Sequence, residues 1–230
     1  EDGNVQLEKA LGAMPRYGEL CEQLSRTPSR RSTPITEARR AAQDERTFLR
    51  LLARLSPVYA DTICVMRYTG CRAVEASSVH LERHGDALRV TIANAKIGAR
   101  RQKKDEKTRS FDISLATPEG RLLSAILDRR GEHPCEGQTP NAIRAAWGRT
   151  RKWEGKEADP GWSLHALRHQ YAKDYKRQVY KTMEAEHGKD WRVKLYGESW
   201  YSSDAYKKDV YGPLADRLGH TCADMAKIYG

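Results

Sequence analysis

Two short segments of the sequence place arginine and histidine where they can bind a phosphate group. In Thr69-Gly70-Cys71-Arg72-Ala73-Val74-Glu75, a predicted helix ends at the glycine and Arg72 projects from the start of the next one. Backbone N–H groups and the helix dipole favour an anion at such a start, and Glu75 can orient the guanidinium one turn later. In the second segment, His165 and Arg168 are three positions apart, so they share a helix face and can contact one phosphate together.

Both segments also have simpler interpretations. Arg72 and Glu75 have the spacing of an ordinary surface ion pair, and an isolated His165 is more often a packed histidine. His165 and His169 are four positions apart, which also suits a pair of metal ligands. No glutamate follows His165 as in a zinc-protease helix, and the sequence offers no evident third ligand. We therefore predict no metal site.

Two further features follow later in the chain. Leu218-Gly219-His220 comes first, and Tyr229 lies nine residues after His220. Because these four features occur in this order along the chain, the sequence resembles the catalytic domain of the tyrosine recombinase (phage integrase) family. That family has Thr-Gly-x-Arg-x-x-Glu, a lysine in a hairpin, His-x-x-Arg, Leu-Gly-His and then a nucleophilic tyrosine. The match runs from about residue 34 to residue 230, and it is specific because the order and the final spacing hold together.

The resemblance implies a mainly α-helical domain that breaks and rejoins DNA without a metal ion or other cofactor. Arg72 and Arg168 would neutralise the charge that grows on the scissile phosphate in the transition state. Tyr229 would attack the phosphorus, expel a 5′-hydroxyl group and leave a 3′-phosphotyrosine. Because the energy of the broken bond is kept in the phosphotyrosine, rejoining the strand needs no cofactor.

The resemblance also assigns supporting roles. A tyrosine hydroxyl has a pKa of about 10, so Tyr229 needs help to ionise, either from His165 as a base or from the field of the two arginines. His220 would hydrogen-bond the phosphate. Glu75 would not contact the phosphate itself but would orient the guanidinium of Arg72.

The family's general-acid lysine lies in the turn of a β-hairpin. Asn94-Ala95-Lys96-Ile97-Gly98 follows a predicted strand and resembles that turn, so Lys96 is the predicted acid, while Lys103 or Lys104 would serve in a different register. Residues 96–109 contain seven basic and two acidic residues, a net charge of 7 − 2 = +5. We predict that this hairpin lies against DNA, although a solvated charged loop is the simpler interpretation. The predicted DNA-contacting residues are Arg100, Arg101, Lys103 and Lys104.

The elements that must position these residues are mainly helices, so the predicted fold class is α+β with a small antiparallel sheet, as in the recombinase catalytic domain. Capping residues and apolar periodicity predict the helix positions. Predicted helices begin at Thr36, Pro57, Thr117, Thr139 and Ser163, a short one covers 72–78, another ends at Leu218-Gly219-His220, and the last covers 221–229. Predicted strands cover 88–92 and 110–113.

The predicted domain organisation is a tail or linker over residues 1–33 and a catalytic domain over 34–230. The absence of an initial Met indicates a fragment of a longer chain. The gap between Arg168 and His220 is 52 residues, longer than the family usually needs, and we predict an aromatic-rich insertion over about 179–211. Its aromatic residues are expected to pack among themselves rather than to stack on unpaired bases. They also supply rival nucleophiles, of which Tyr211 is the strongest.

Composition is consistent with a DNA-binding protein. The chain has 230 residues, with 41 Lys+Arg against 31 Asp+Glu, so its formal charge is +10 and a polyanionic partner is expected. No apolar stretch has the roughly 18 to 20 residues of a membrane span, and the five scattered cysteines favour a reducing, intracellular setting. The resemblance implies a cytoplasmic protein near the nucleoid, whose partners are double-stranded DNA and three further copies of the chain in a tetrameric synapse.

Four other functions remain open from the sequence. A type IB topoisomerase or a telomere resolvase would need almost the same residues. A DNA-binding module without chemistry is a different class, although the complete residue set argues against it. A metal-dependent nuclease is disfavoured because the sequence has no carboxylate cluster.

Overall fold

The computed structural model describes residues 45–93, 108–153 and 162–219. The described residues are mostly helical and include a small antiparallel sheet, which confirms the predicted α+β class. The helices are α1 (Glu45–Leu52), α2 (Pro57–Thr69), α3 (Pro118–Arg130), α4 (Pro140–Trp153), α5 (Leu164–His187), α6 (Trp191–Tyr196), α7 (Asp204–Tyr206) and α8 (Gly212–Leu218). The strands are β1 (His80–His84), β2 (Ala87–Ala93) and β3 (Thr108–Ser114), paired in the order β1-β2-β3. Shorter turns are 3₁₀ at Ala76–Ser78 and Trp200–Ser202 and π-helical at Lys207–Tyr211.

Most of the predicted helix ends are confirmed, because capping is local chemistry. Thr117 caps α3 by accepting a hydrogen bond from the Gly120 N–H, and Ser163 caps α5 in the same way from the Ala166 N–H. Helix α2 ends at Gly70, whose φ of 67° is left-handed and whose N–H bonds the Met66 carbonyl. The predicted helix start at Thr36 and the predicted last helix over 221–229 lie outside the described residues.

Two local predictions were wrong. The helix expected from Arg72 to Ser78 is a turn followed by one 3₁₀ turn over Ala76–Ser78, and the Glu75 carboxylate accepts the Arg72 backbone N–H within it. Strand β1 was not predicted at all. Its sequence lacks the apolar alternation that indicates a strand, and only Leu81 of its five residues is buried.

The buried residues form two apolar clusters that meet along α5. The first packs α1, α2, α3 and α4 against the sheet, and Leu167 of α5 belongs to it. The second lies around the C-terminal part of α5 and begins with Tyr171, one turn further on. Helix α5 therefore connects the two clusters, and position 179, the expected start of an insertion, lies inside this helix.

The second cluster contains most of the aromatic residues of the 179–211 segment, together with Tyr171 and Tyr175 from earlier in α5. Most of the ring contacts are edge to face, and the hydroxyls of Tyr180 and Tyr206 lie 2.6 Å apart. Arg192 stacks on the rings of three of these residues. The aromatic members are Tyr171, Tyr175, Tyr180, Trp191, Tyr196, Trp200, Tyr206 and Tyr211. Packing within the protein thus accounts for this segment, except at Tyr201, which is 66% exposed.

The chain as described contains no helix with the length and hydrophobicity that crossing a membrane requires.

Replacing Gly70 should test how tightly α2, α5 and α8 pack at this point. A Cβ at Gly70 would lie 2.5 Å from Cδ1 of Tyr171 and 3.1 Å from Cδ2 of Leu218. Gly85 has a similar φ of 60° but no atom within 4 Å of such a Cβ, so Gly85→Ala is a matched control. We expect Gly85→Ala to lower the free energy of unfolding by about 1–2 kcal/mol through backbone strain alone.

Gly70→Ala should lose about 1–3 kcal/mol more, because the packed ring must move. Urea unfolding of both variants measures the difference. Equal losses for the two variants would contradict the close packing of Gly70 against Tyr171.

Candidate active site

The guanidinium of Arg168 joins three segments that are far apart in the sequence. Its Nη1 donates to the Gly70 carbonyl at 2.5 Å, and its Nη2 donates to the Leu218 carbonyl. Gly70 lies two positions before Arg72, and Leu218 lies two positions before His220. Three of the four predicted motifs thus meet at one side chain, which is only 1% exposed.

Helix geometry explains why an arginine suits this position. Gly70 and Gly219 both adopt left-handed φ values, 67° and 63°, and end α2 and α8. The last carbonyls of a helix have no partner within it, and they carry the negative end of the helix dipole. Arg168 donates hydrogen bonds to carbonyls at both helix ends, and its positive charge is favoured there.

Glu75 holds Arg72 through both its backbone and its side chain. Its Oε2 accepts the Arg72 backbone N–H at 2.8 Å, and its Oε1 accepts Nη1 of Arg72 at 2.6 Å. The Glu75 side chain is fully buried, whereas that of Arg72 is 23% exposed. The carboxylate therefore holds an arginine whose side chain is still partly exposed.

Glu75 also binds a second arginine. Nη2 of Arg109 lies 2.7 Å from the Oε2 of Glu75, so two guanidinium groups share one buried carboxylate. Burial alone would raise the pKa of Glu75, but the hydrogen bond and charge of Arg109 and the contacts with Arg72 bring it below its ordinary value. Glu75 is therefore a carboxylate at neutral pH and acts as a fixed negative anchor for both arginines.

His165 is the exposed member of the site, one turn before Arg168. Its pKa is lowered from the ordinary value by partial burial first, and then by the positive charges of Arg168 and Arg72. Its ring lies edge to face on His169, with centroids 4.7 Å apart. The lowered pKa makes His165 a neutral imidazole at neutral pH, which is the form that accepts a proton.

The structure thus brings together Arg72, Glu75, His165 and Arg168, four of the residues selected from the sequence. Gly219, the last described residue, is adjacent to His220, and Ala93, the last described residue of β2, is three positions before Lys96. The remaining predicted site residues lie outside the described residues. They are Lys96, Arg100, Arg101, Lys103, Lys104, His220 and Tyr229.

Arg109 was missed by the sequence analysis, which counted it among the basic residues of a DNA-facing hairpin. The structure corrects that assignment, because Arg109 is 8% exposed and bonded to Glu75 and to the Arg217 carbonyl. The alternation of inward-facing and outward-facing residues along β3 could have revealed that Arg109 is buried. Arg109 occupies the same face as Ile113, so it is a charged residue at a core-facing position.

Tyr211, the rival nucleophile, is a packing residue in the second cluster. It is buried at the end of the π-helical turn, and its ring packs on Tyr206. Burial first, and then the neighbouring Tyr180, raise the pKa of Tyr211 to about 12. A phenol with so high a pKa is harder to ionise than an ordinary tyrosine, so these surroundings disfavour it as a nucleophile.

Among residues 45–93, 108–153 and 162–219, no group of three or more His, Cys, Asp or Glu side chains is arranged to hold a metal ion. Comparison with protein-family models, with curated proteins and with solved structures finds no match for this chain.

Titration of His165 should test its electrostatic contact with Arg72 and Arg168. We expect its pKa, followed by NMR of the ring, to lie below 6.5. Arg72→Gln removes one positive neighbour and should raise that pKa, because less repulsion opposes protonation. Arg83→Gln is the control, since Arg83 pairs with Asp128 on an exposed surface. An equal His165 pKa in wild type and Arg72→Gln would mean that Arg72 lies too far away to act with His165.

Proposed function

We propose that the chain is the catalytic domain of a site-specific DNA recombinase of the tyrosine recombinase type, with the corresponding fold. The single observation that carries the proposal is the pair of hydrogen bonds from Arg168 to the Gly70 and Leu218 carbonyls. These bonds bring the Arg72 segment and the segment before His220 to the same guanidinium. The meeting of three separately chosen motifs supports the resemblance, because nothing in their local sequence requires them to meet.

In the proposed reaction, the accessible Arg72 binds the non-bridging oxygens of the scissile phosphate, and the buried Arg168 contributes its charge from beneath and holds the Gly70 and Leu218 carbonyls in place. Together the two arginines stabilise the pentacoordinate transition state. The Tyr229 oxygen forms a bond to phosphorus as the bond to the 5′-oxygen breaks. Neutral His165 takes the proton of the phenol, and Lys96 gives a proton to the departing 5′-oxygen. The reverse sequence, with a 5′-hydroxyl of another strand, rejoins the DNA.

The partners follow from this chemistry and from the charge of the chain. Strand exchange between two duplexes needs four active sites, so we propose a tetramer of this chain on double-stranded DNA, associated with the nucleoid. The formal charge of +10 favours such a polyanion. In this proposal Arg100, Arg101, Lys103 and Lys104 contact the DNA backbone and Lys96 reaches the cleavage site.

The test is a nicked suicide substrate incubated with the protein in EDTA. The 5′-hydroxyl fragment released by cleavage diffuses away and leaves a covalent protein–DNA adduct that is resolved by denaturing electrophoresis. We expect an adduct whose formation depends on the DNA site. Relaxation of plasmids regardless of site would indicate a topoisomerase, cleavage only with added metal would indicate a nuclease, and binding without an adduct would indicate a DNA-binding module.

A further inference from the structure

We infer that Arg109 is a positioning residue for strand cleavage, which sets the geometry of Arg72 relative to the hairpin and to the end of α8. The inference rests on the proposed function and goes beyond it, because Arg109 belongs to none of the motifs that carry the resemblance. Arg109 has one partner in each of two distant segments. Its Nη2 donates to Glu75 at 2.7 Å, and its Nε donates to the Arg217 carbonyl at 2.8 Å.

The first partner connects Arg109 to the arginine that would bind the phosphate. Glu75 accepts hydrogen bonds from Arg109 and from both the backbone and the side chain of Arg72. One carboxylate offers a limited number of lone-pair directions, so the position of one guanidinium constrains that of the other. Moving Arg109 therefore moves the carboxylate, and with it the accessible guanidinium of Arg72.

The second partner connects Arg109 to the end of α8. Arg217 is in the last turn of that helix, two positions before Gly219 and three before His220. Arg168, which lies on α5, donates to the carbonyl of the next residue, Leu218. Two buried guanidinium groups, those of Arg109 and Arg168, thus hold consecutive carbonyls at the point from which the chain continues to His220.

Arg109 also lies at the base of the hairpin that contains Lys96. It pairs with Ile92 across the sheet, and the neighbouring pair is Thr108 with Ala93. The same base is tied to the turn after Glu75, because the Ser78 hydroxyl contacts both the N–H and the carbonyl of Ala93. Arg109 is therefore joined by direct bonds to each of the segments that lead to Arg72, Lys96 and His220.

A purely structural ion pair is the competing explanation, and the chain offers a matched control for it. Arg67 is buried to a similar degree and pairs with Asp174 at 2.7 Å, with Glu45 further away at 3.8 Å. Lysine keeps the charge but lacks the planar fork that holds two partners at fixed angles. Arg109→Lys and Arg67→Lys therefore remove the same planar fork from two buried arginines, of which only Arg109 binds Glu75.

The experiment measures the single-turnover rate of adduct formation at saturating DNA, together with the DNA dissociation constant and the Tm. We expect both variants to lower the Tm. Arg109→Lys should in addition slow cleavage, by up to about 100-fold, since a displacement of about 1 Å in an active site has effects of that size. Its dissociation constant should stay within about twofold of wild type, and Arg67→Lys should cleave at the wild-type rate.

Two further measurements keep the outcome decisive. A double variant that carries Glu75→Gln and Arg109→Lys should form the adduct no more slowly than the slower of the two single variants, because both residues act through one network. The Nε–H resonance of Arg72, observed by NMR without DNA, should shift in Arg109→Lys but not in Arg67→Lys. An Arg109→Lys protein with a wild-type rate and an unshifted Arg72 resonance would overturn the inference. A wild-type protein that forms no adduct would refute the proposed function instead, and the resonance would still decide whether Arg109 positions Arg72.

Discussion

Tyr229→Phe should fold, bind DNA and form no covalent adduct. Phenylalanine keeps the aromatic ring but removes the oxygen that is proposed to attack phosphorus. The adduct should therefore fall below detection on a nicked suicide substrate, while the DNA dissociation constant is unchanged. Peptide mapping of the wild-type adduct should identify Tyr229 as the modified residue.

Tyr211→Phe is the matched control for this prediction. Tyr211 is buried in the aromatic cluster, where its pKa is raised to about 12, so it is poorly suited to attack. Tyr211→Phe should form the adduct at the wild-type rate. An adduct that persists in Tyr229→Phe, or that maps to Tyr211, would show that the nucleophile comes from the aromatic segment and that the end of the chain was misaligned with the family.

Arg168→Lys should slow cleavage by roughly 100- to 1000-fold while the protein still binds duplex DNA. The proposed work of the guanidinium is in the transition state, so its loss should appear in rate rather than in affinity. Losing one preorganised donor of this kind reduces the rate on the order of 100- to 1000-fold. Single-turnover cleavage at saturating DNA measures the loss, and cleavage by Arg168→Lys at the wild-type rate would exclude Arg168 from the active site.

The burial of Arg168 makes lysine a better choice than alanine for this test. Arg168→Ala would leave the Gly70 and Leu218 carbonyls without their donor, and an unsatisfied buried polar group costs about 1–3 kcal/mol. Unfolding would then be confused with lost chemistry. A protein that retains its Tm but not its cleavage rate separates the two effects, so each variant should be compared with wild type by thermal unfolding.

The sequence alone determined the features that depend on neighbouring residues. Thr117 and Ser163 cap helices, and Gly70 and Gly219 end them, because each of these effects acts within a single turn. The spacing of Arg72 and Glu75 likewise predicted their pairing, which the structure confirms at 2.6 Å. Strand β1 was missed because its five residues have no apolar alternation of their own. They form a strand by pairing with β2.

Only the tertiary structure decided which residues meet. Arg168 binds carbonyls 98 and 50 positions away, and no local signal fixes either partner. Arg109 looked like one basic residue among seven, but the pleat of β3 turns it toward the core, where a charge must find a partner and Glu75 is within reach. Sequence order can thus select the motifs, whereas packing decides whether a given arginine faces solvent or supports the site.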